Sequence, residues 1–138
     1  MVASKANGAW FVPRIMIADD DPIQRMLVRE VLADDRSLSY VEVDDGIEAL
    51  SQAKADRPDL VILEVMMPSS DGFQVCRLFK SDPALHKIPV IILTARYQDD
   101  DGKRGREAGA DVLITKPFDP VELQSIVHSL ISQSNRRS

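Results

Sequence analysis

Cysteine is almost missing from this chain. Cys76 stands alone among 138 residues. A lone thiol cannot close an internal disulfide, which fits a reducing compartment. Long apolar runs are missing too, and none approaches the ~20 residues of a membrane helix. The opening stretch "MVASKANGAWFVP" has no apolar segment long enough for a signal peptide. A cytoplasmic protein with no membrane contact is therefore expected. An excess of positive charge is also lacking. The formal net charge is −5, which argues against a nucleic-acid surface spread over the domain.

Several kinds of chemistry are excluded in the same way. Gly102, Gly105 and Gly109 follow no strand and make no dinucleotide fingerprint. His86 and His128 lie far from any cysteine pair, so a zinc site is not expected. The stretch "YQDDDGK" has an incomplete acidic register for a Ca²⁺ loop, whose closing position falls on Ala108. Asp99 to Asp101 read instead as helix-capping residues. No Ser–His–Asp arrangement, internal repeat or low-complexity segment is visible. Cys76 reads as a core residue.

What is present is an alternation. With 44% hydrophobic and 28% charged residues, the chain reads as one globular domain. Residues 1–13 read as a flexible lead, of which Trp10, Phe11 and Val12 are candidates to cover part of the core. Residues 14–132 read as the domain, and residues 133–138 as a tail or the start of a linker. Apolar runs at 14–18, 38–43, 60–63, 89–94 and 111–115 read as strands. Helical patterns follow each of them. Expected helix stripes are Ile23, Met26, Leu27, Glu30 and Val31 in the first, and Ile47, Leu50 and Lys54 in the second. Phe73, Cys76, Leu78 and Phe79 are expected in the third. The fourth is polar and interrupted by glycine. The last, from Pro120, carries Leu123, Ile126, Val127, Leu130 and Ile131. Near-continuous apolar strands imply that both sheet faces are covered. The expected fold is an α/β doubly wound parallel sheet of five strands and five helices.

In such a sheet, ligands bind past the carboxyl ends of the strands. The first run ends at Asp19-Asp20-Asp21, the third at Glu64, the fourth at Thr94 and the fifth at Thr115-Lys116-Pro117. Acids gathered at one rim repel each other, and a cation held by oxygen ligands relieves this. Mg²⁺ is the usual choice where phosphate is handled. A cation, a lysine and a hydroxyl around one carboxylate suit a phosphoryl group.

The segments "RIMIADDDPIQRMLV", "PDLVILEVMMPSSDGFQVCRLFK", "IPVIILTA" and "AGADVLITKPFDPVEL" resemble the receiver domains of bacterial two-component response regulators. The resemblance covers about residues 14 to 131. It implies the flavodoxin-like (βα)5 fold with strand order 2-1-3-4-5. It also implies Asp19 and Asp20 as the acidic pair for Mg²⁺, Met66 as a backbone-carbonyl ligand, and Thr94 and Lys116 as phosphoryl partners. Pro117 would follow a cis peptide bond with Lys116, and Asp71-Gly72 fits the turn into the third helix. Two positions depart from the family pattern. Glu64 stands at the phosphoacceptor aspartate and also among the metal ligands. Leu113 stands where the family carries a switching Tyr or Phe.

The resemblance implies a signalling module rather than an enzyme. Its partners would be a histidine kinase or phosphotransfer protein, or a downstream effector. Direct nucleic-acid binding by this domain is not expected. Homodimerisation would use the fourth helix, fifth strand and fifth helix. Glu is longer than Asp by one methylene, on the order of 1.5 Å, and in-line transfer is sensitive to misplacement of about 1 Å. Normal phosphorylation is thus doubtful. The alternative is a phosphorylation-independent pseudo-receiver, a constitutive protein-binding module. No output domain fits within these residues.

Overall fold

The structure, a computed structural model, describes residues 4–6, 9–33, 38–68, 70–94 and 100–137. The side chains of residues 4–6, 9–11 and 134–137 are outside that description, so the roles expected of Trp10 and Phe11 fall outside it as well.

Five strands form one parallel sheet: β1 (Arg14–Ala18), β2 (Ser39–Val43), β3 (Leu60–Leu63), β4 (Val90–Thr94) and β5 (Val112–Thr115). Their order is β2-β1-β3-β4-β5, and every pairing is parallel. Five helices alternate with them: α1 (Pro22–Leu32), α2 (Gly46–Ala55), α3 (Gly72–Ser81), α4 (Asp101–Ala108) and α5 (Pro120–Arg137). Near the N-terminus, Ser4–Ala6 pairs antiparallel with Ala9–Phe11, and Val12 after it is exposed.

The two faces of the sheet follow from the period-2 alternation of strand side chains. Ile15, Ile17, Leu60, Ile62, Ile91 and Leu93 pack with Val28 and Leu32 of α1 and with Leu123, Val127 and Ile131 of α5. Met16, Ala18, Val61, Leu63, Val90 and Ile92 pack with α2, α3 and α4 on the other face. The central strands β1, β3 and β4 are apolar on both sides, so their runs read as continuous, whereas β2 carries exposed Ser39 and partly exposed Glu42.

Two helices, α1 and α2, turn a different side to the core than expected, and α3 buries Phe73, Cys76 and Phe79 as expected but differs at one position. In α1 the buried residues are Val28 and Leu32, whereas Ile23, Met26 and Leu27 are exposed. This helix is apolar around much of its circumference, so periodicity alone allows two overlapping stripes. In α2 the buried residues are Gly46, Ala49 and Ala53, and Ile47 is exposed. Small residues let this helix approach closely: a Cβ on Gly46 would stand 2.3 Å from Val75 Cγ2. In α3, Val75 is buried in place of Leu78, which is exposed. The stripe of α5 is as expected, with Ile126 and Leu130 partly buried.

Cys76 is fully buried on α3, where its thiol donates to the Ala108 carbonyl at 3.5 Å. Burial pushes its pKa up to about 11. The thiolate is the reactive form, so the native protein is expected to resist iodoacetamide at pH 8. Alkylation should appear only in denaturant, and rapid labelling of the native chain, read by intact mass, would contradict this packing.

Candidate functional site

Four of the five strand ends deliver a polar residue to one edge. β1 closes on Asp19, whose N–H donates to the Val43 carbonyl of β2 at 3.1 Å. β3 closes on Glu64, whose N–H donates to the Ala18 carbonyl at 3.0 Å. These bonds place Glu64 beside the end of β1. β4 ends at Thr94, which is fully buried and in register with Thr115 of β5. The Lys116 N–H then donates to the Thr94 carbonyl at 2.8 Å. The Lys116–Pro117 peptide bond is cis.

The long Lys116 side chain crosses the rim. Its Nζ donates to Asp19 Oδ2 at 3.2 Å and lies 3.5 Å from Glu64 Oε2. All three side chains are only 11% exposed, so each carboxylate has lost most of its water. Removing solvent strengthens the attraction and makes an uncompensated charge costly. One ammonium therefore serves two acids from strands far apart in sequence.

Asp19 has a second task. Its Oδ1 accepts from the Asp21 N–H at 3.0 Å. Asp21 is the N-cap of α1 and accepts from the Ile23 N–H at 2.9 Å, and Pro22 follows at a position where a missing N–H costs nothing. The acid run thus starts a helix and shapes a loop at once. Asp20 is exposed and lines a cleft of about 740 Å³ together with Met66, Met67, Asp71, Asp101 and Arg104. Arg104 of α4 closes one side. It pairs with Asp71 at 3.0 Å and lies over the Phe73 ring at 4.4 Å.

Gly72 is required beside this rim. A Cβ there would lie 2.3 Å from the Glu64 carbonyl oxygen and 2.6 Å from Val65 Cα. Both are backbone atoms and cannot swing aside. Asp71 caps α3 through the Phe73 N–H at 2.8 Å, so helix α3 begins against the end of β3.

Oxygen donors at the rim suit a hard divalent cation. The Asp19 and Asp20 carboxylates stand there, and Asp20 shares its cleft with Met66. The donor chemistry therefore fits Mg²⁺, although Lys116 already engages Asp19 and Glu64. Among the described residues, the one set of three acids with ligand atoms mutually within 4.8 Å is Asp44, Asp45 and Glu48. That cluster has a local cause. Asp45 caps α2 by accepting from the Glu48 N–H at 2.8 Å, and Glu48 accepts from Gln52 at 2.8 Å. It is a capping arrangement at a helix start.

Leu113 is partly buried, and a Cβ on Gly105 of α4 would lie 3.9 Å from it. The position thus touches the helix that lines the cleft. Asp101 is buried at the start of α4, and the N-cap residue Asp100 makes no side-chain capping bond, contrary to the capping expected of it; the capping expected of Asp99 lies outside the described residues. Two contributors to the rim were not foreseen from sequence, Arg25 and Arg104. Their contacts span 6, 17 and 33 residues, and no local pattern announces them.

The family model for the response regulator receiver domain matches residues 15–128. Response regulator PleD of Caulobacter vibrioides is 42% identical over 121 residues, which are 85% of this chain and 26% of PleD. This chain thus spans about a quarter of that relative's length. The signal receiver domain of a signal transduction histidine kinase from Syntrophus aciditrophicus superimposes with a TM-score of 0.81 at 39% identity, covering 88% of this chain and 91% of that one. The Mn²⁺-bound form of response regulator Rcp1 gives a TM-score of 0.74 at 26% identity, covering 87% and 92%.

Proposed function

Because the chain belongs to the response regulator receiver domain family, we propose that it serves two-component signalling as a binding module whose rim is held by Glu64 without phosphorylation. Receiver domains are signalling modules rather than catalysts, and they interact with kinases, phosphotransfer proteins and effector domains. The observation that carries the reading is the ion pair between Lys116 and Glu64 at 3.5 Å. The lysine that would meet a phosphoryl oxygen already meets a carboxylate. Glu64 extends its carboxylate one methylene further than the acceptor aspartate of a regulated receiver would, toward the place a phosphoryl oxygen would take beside Lys116.

On this reading Asp19, Asp20 and the Met66 carbonyl hold Mg²⁺, which would offset the remaining negative charge of the rim. Rcp1, a relative of the same fold, has a Mn²⁺-bound form, which supports a divalent site. Thr94 and Lys116 stabilise the Glu64 carboxylate. Leu113, against α4, lacks the ring that would report a switch. The surface of α4, β5 and α5 then presents one arrangement to an effector protein or a second copy of the chain.

A second reading, phosphorelay control by a histidine kinase, is supported by Asp19, Thr94 and Lys116 meeting at one edge of the sheet. Incubation with Mg²⁺ and acetyl phosphate separates the two. The unaltered chain is expected to keep its mass. A phosphoryl-sized gain that disappears in Glu64→Ala would overturn the proposed reading and favour the second.

A further inference from the structure

We infer that Arg25 is a positioning residue for the acidic rim: held by Glu42, it fixes the backbone of the loop that carries Asp19 and Asp20, and so sets the affinity for a divalent cation. The inference rests on the cation reading above and goes beyond it, because Arg25 touches neither the cleft nor a carboxylate of the rim.

The geometry is a relay across three elements. Arg25 Nη1 donates to the Asp19 carbonyl oxygen at 2.6 Å, and Arg25 Nε donates to Glu42 Oε1 at 3.0 Å. Arg29, one turn further along α1, donates to Glu42 Oε2 at 2.5 Å. The Arg25 side chain is 17% exposed. A planar guanidinium offers donors in fixed directions, so seating one edge on Glu42 aims another at the Asp19 carbonyl. Glu42 is itself held in place, because β2 pairs with β1 with Glu42 opposite Ile17. Burial pushes the Glu42 carboxyl up, but the bonds from Arg29 and Arg25 outweigh this and leave it below its ordinary value. It stays ionised as the seat.

The Asp19 backbone is thereby pinned on both sides. Its N–H is bonded to Val43 and its carbonyl to Arg25. Its carboxylate direction and the start of Asp20 follow from that. Groups that orient ligands from behind typically alter metal affinity by about 10–100-fold when removed. Arg25 also carries positive charge, whose loss alone would favour a cation. Arg25→Lys keeps that charge while losing the paired geometry, so it reads the positioning bond apart from the field.

The test is a Mn²⁺ titration of the full chain followed by electron paramagnetic resonance, with thermal midpoints measured in parallel. Arg25→Met should weaken Mn²⁺ binding on the order of tenfold or more. Arg25→Lys should recover part of the loss, since an ammonium still donates to the carbonyl but cannot hold both partners. Glu42→Gln should show a smaller loss. Val28→Ala, a core change on the same helix, should lower the midpoint and leave Mn²⁺ affinity unchanged. Equal or tighter binding in Arg25→Met and Arg25→Lys overturns the inference while the cation reading stands. So does a loss in Val28→Ala that matches its fall in stability. If the unaltered protein binds no Mn²⁺, the cation reading fails and takes the inference with it.

Discussion

Glu64→Asp protein is expected to gain one phosphoryl mass in the presence of Mg²⁺ and acetyl phosphate, under conditions where the unaltered chain gains none. The backbone bond from Glu64 N–H to Ala18 fixes where the side chain starts. Shortening by one methylene withdraws the carboxylate by on the order of 1.5 Å. It then leaves the position 3.5 Å from Lys116 open to a phosphoryl oxygen. Phosphoryl transfer depends on position and charge more than on covalent help from the protein. Asp19, Asp20, Thr94 and Lys116 are already at the rim, so one substitution should restore the reaction. Intact-mass measurement reads it directly, and Asp20→Asn added to Glu64→Asp should abolish the gain. A folded Glu64→Asp protein that stays unlabelled would show that the pocket has lost more than the acceptor.

Lys116→Ala should cost stability on the order of 3–5 kcal/mol, because it strands two nearly buried carboxylates. Lys116 bonds Asp19 at 3.2 Å and pairs with Glu64 at 3.5 Å, and each of the three side chains is 11% exposed. Deleting the ammonium leaves Asp19 and Glu64 facing each other with little water. Urea unfolding at neutral pH measures the effect. Glu64→Gln added to Lys116→Ala should recover part of it by removing one of the stranded charges, a coupling a double-mutant cycle resolves. A loss below about 1 kcal/mol would mean that the rim is screened like an exposed pair, and the ion pair could not carry the proposed reading.

The fold was legible because of burial on both sheet faces. Strands such as Leu60–Leu63 and Val90–Thr94 are wholly buried, and a wholly buried strand leaves an uninterrupted apolar run. The Asp71-Gly72 turn into α3 was legible for a local reason, since Asp71 bonds the Phe73 N–H two residues on; the caps Asp21 and Asp45 were not foreseen. Asp19, Glu64, Thr94 and Lys116 were legible because each closes or directly follows a strand. Helix faces were less so. The α1 stripe was misplaced, apart from Val31, because Ile23, Met26 and Leu27 are as apolar as Val28 and Leu32. For α2, the large residue Ile47 was expected inside, while the small ones are buried because the helix must approach closely. The Arg104 pairing with Asp71 and stacking on Phe73 had no sequence signal, since a surface arginine on a polar helix is ordinary.

The amino-acid order alone settled which elements form and which polar groups end each strand. Both are set by near neighbours: side-chain alternation within a strand and caps within one helical turn. Only the folded chain decided that one ammonium spans Asp19 and Glu64, that Arg25 reaches the Asp19 carbonyl, and which side of α1 is covered. These depend on distances between segments up to 97 residues apart, and those distances come from the order and register of the sheet, which no local pattern encodes.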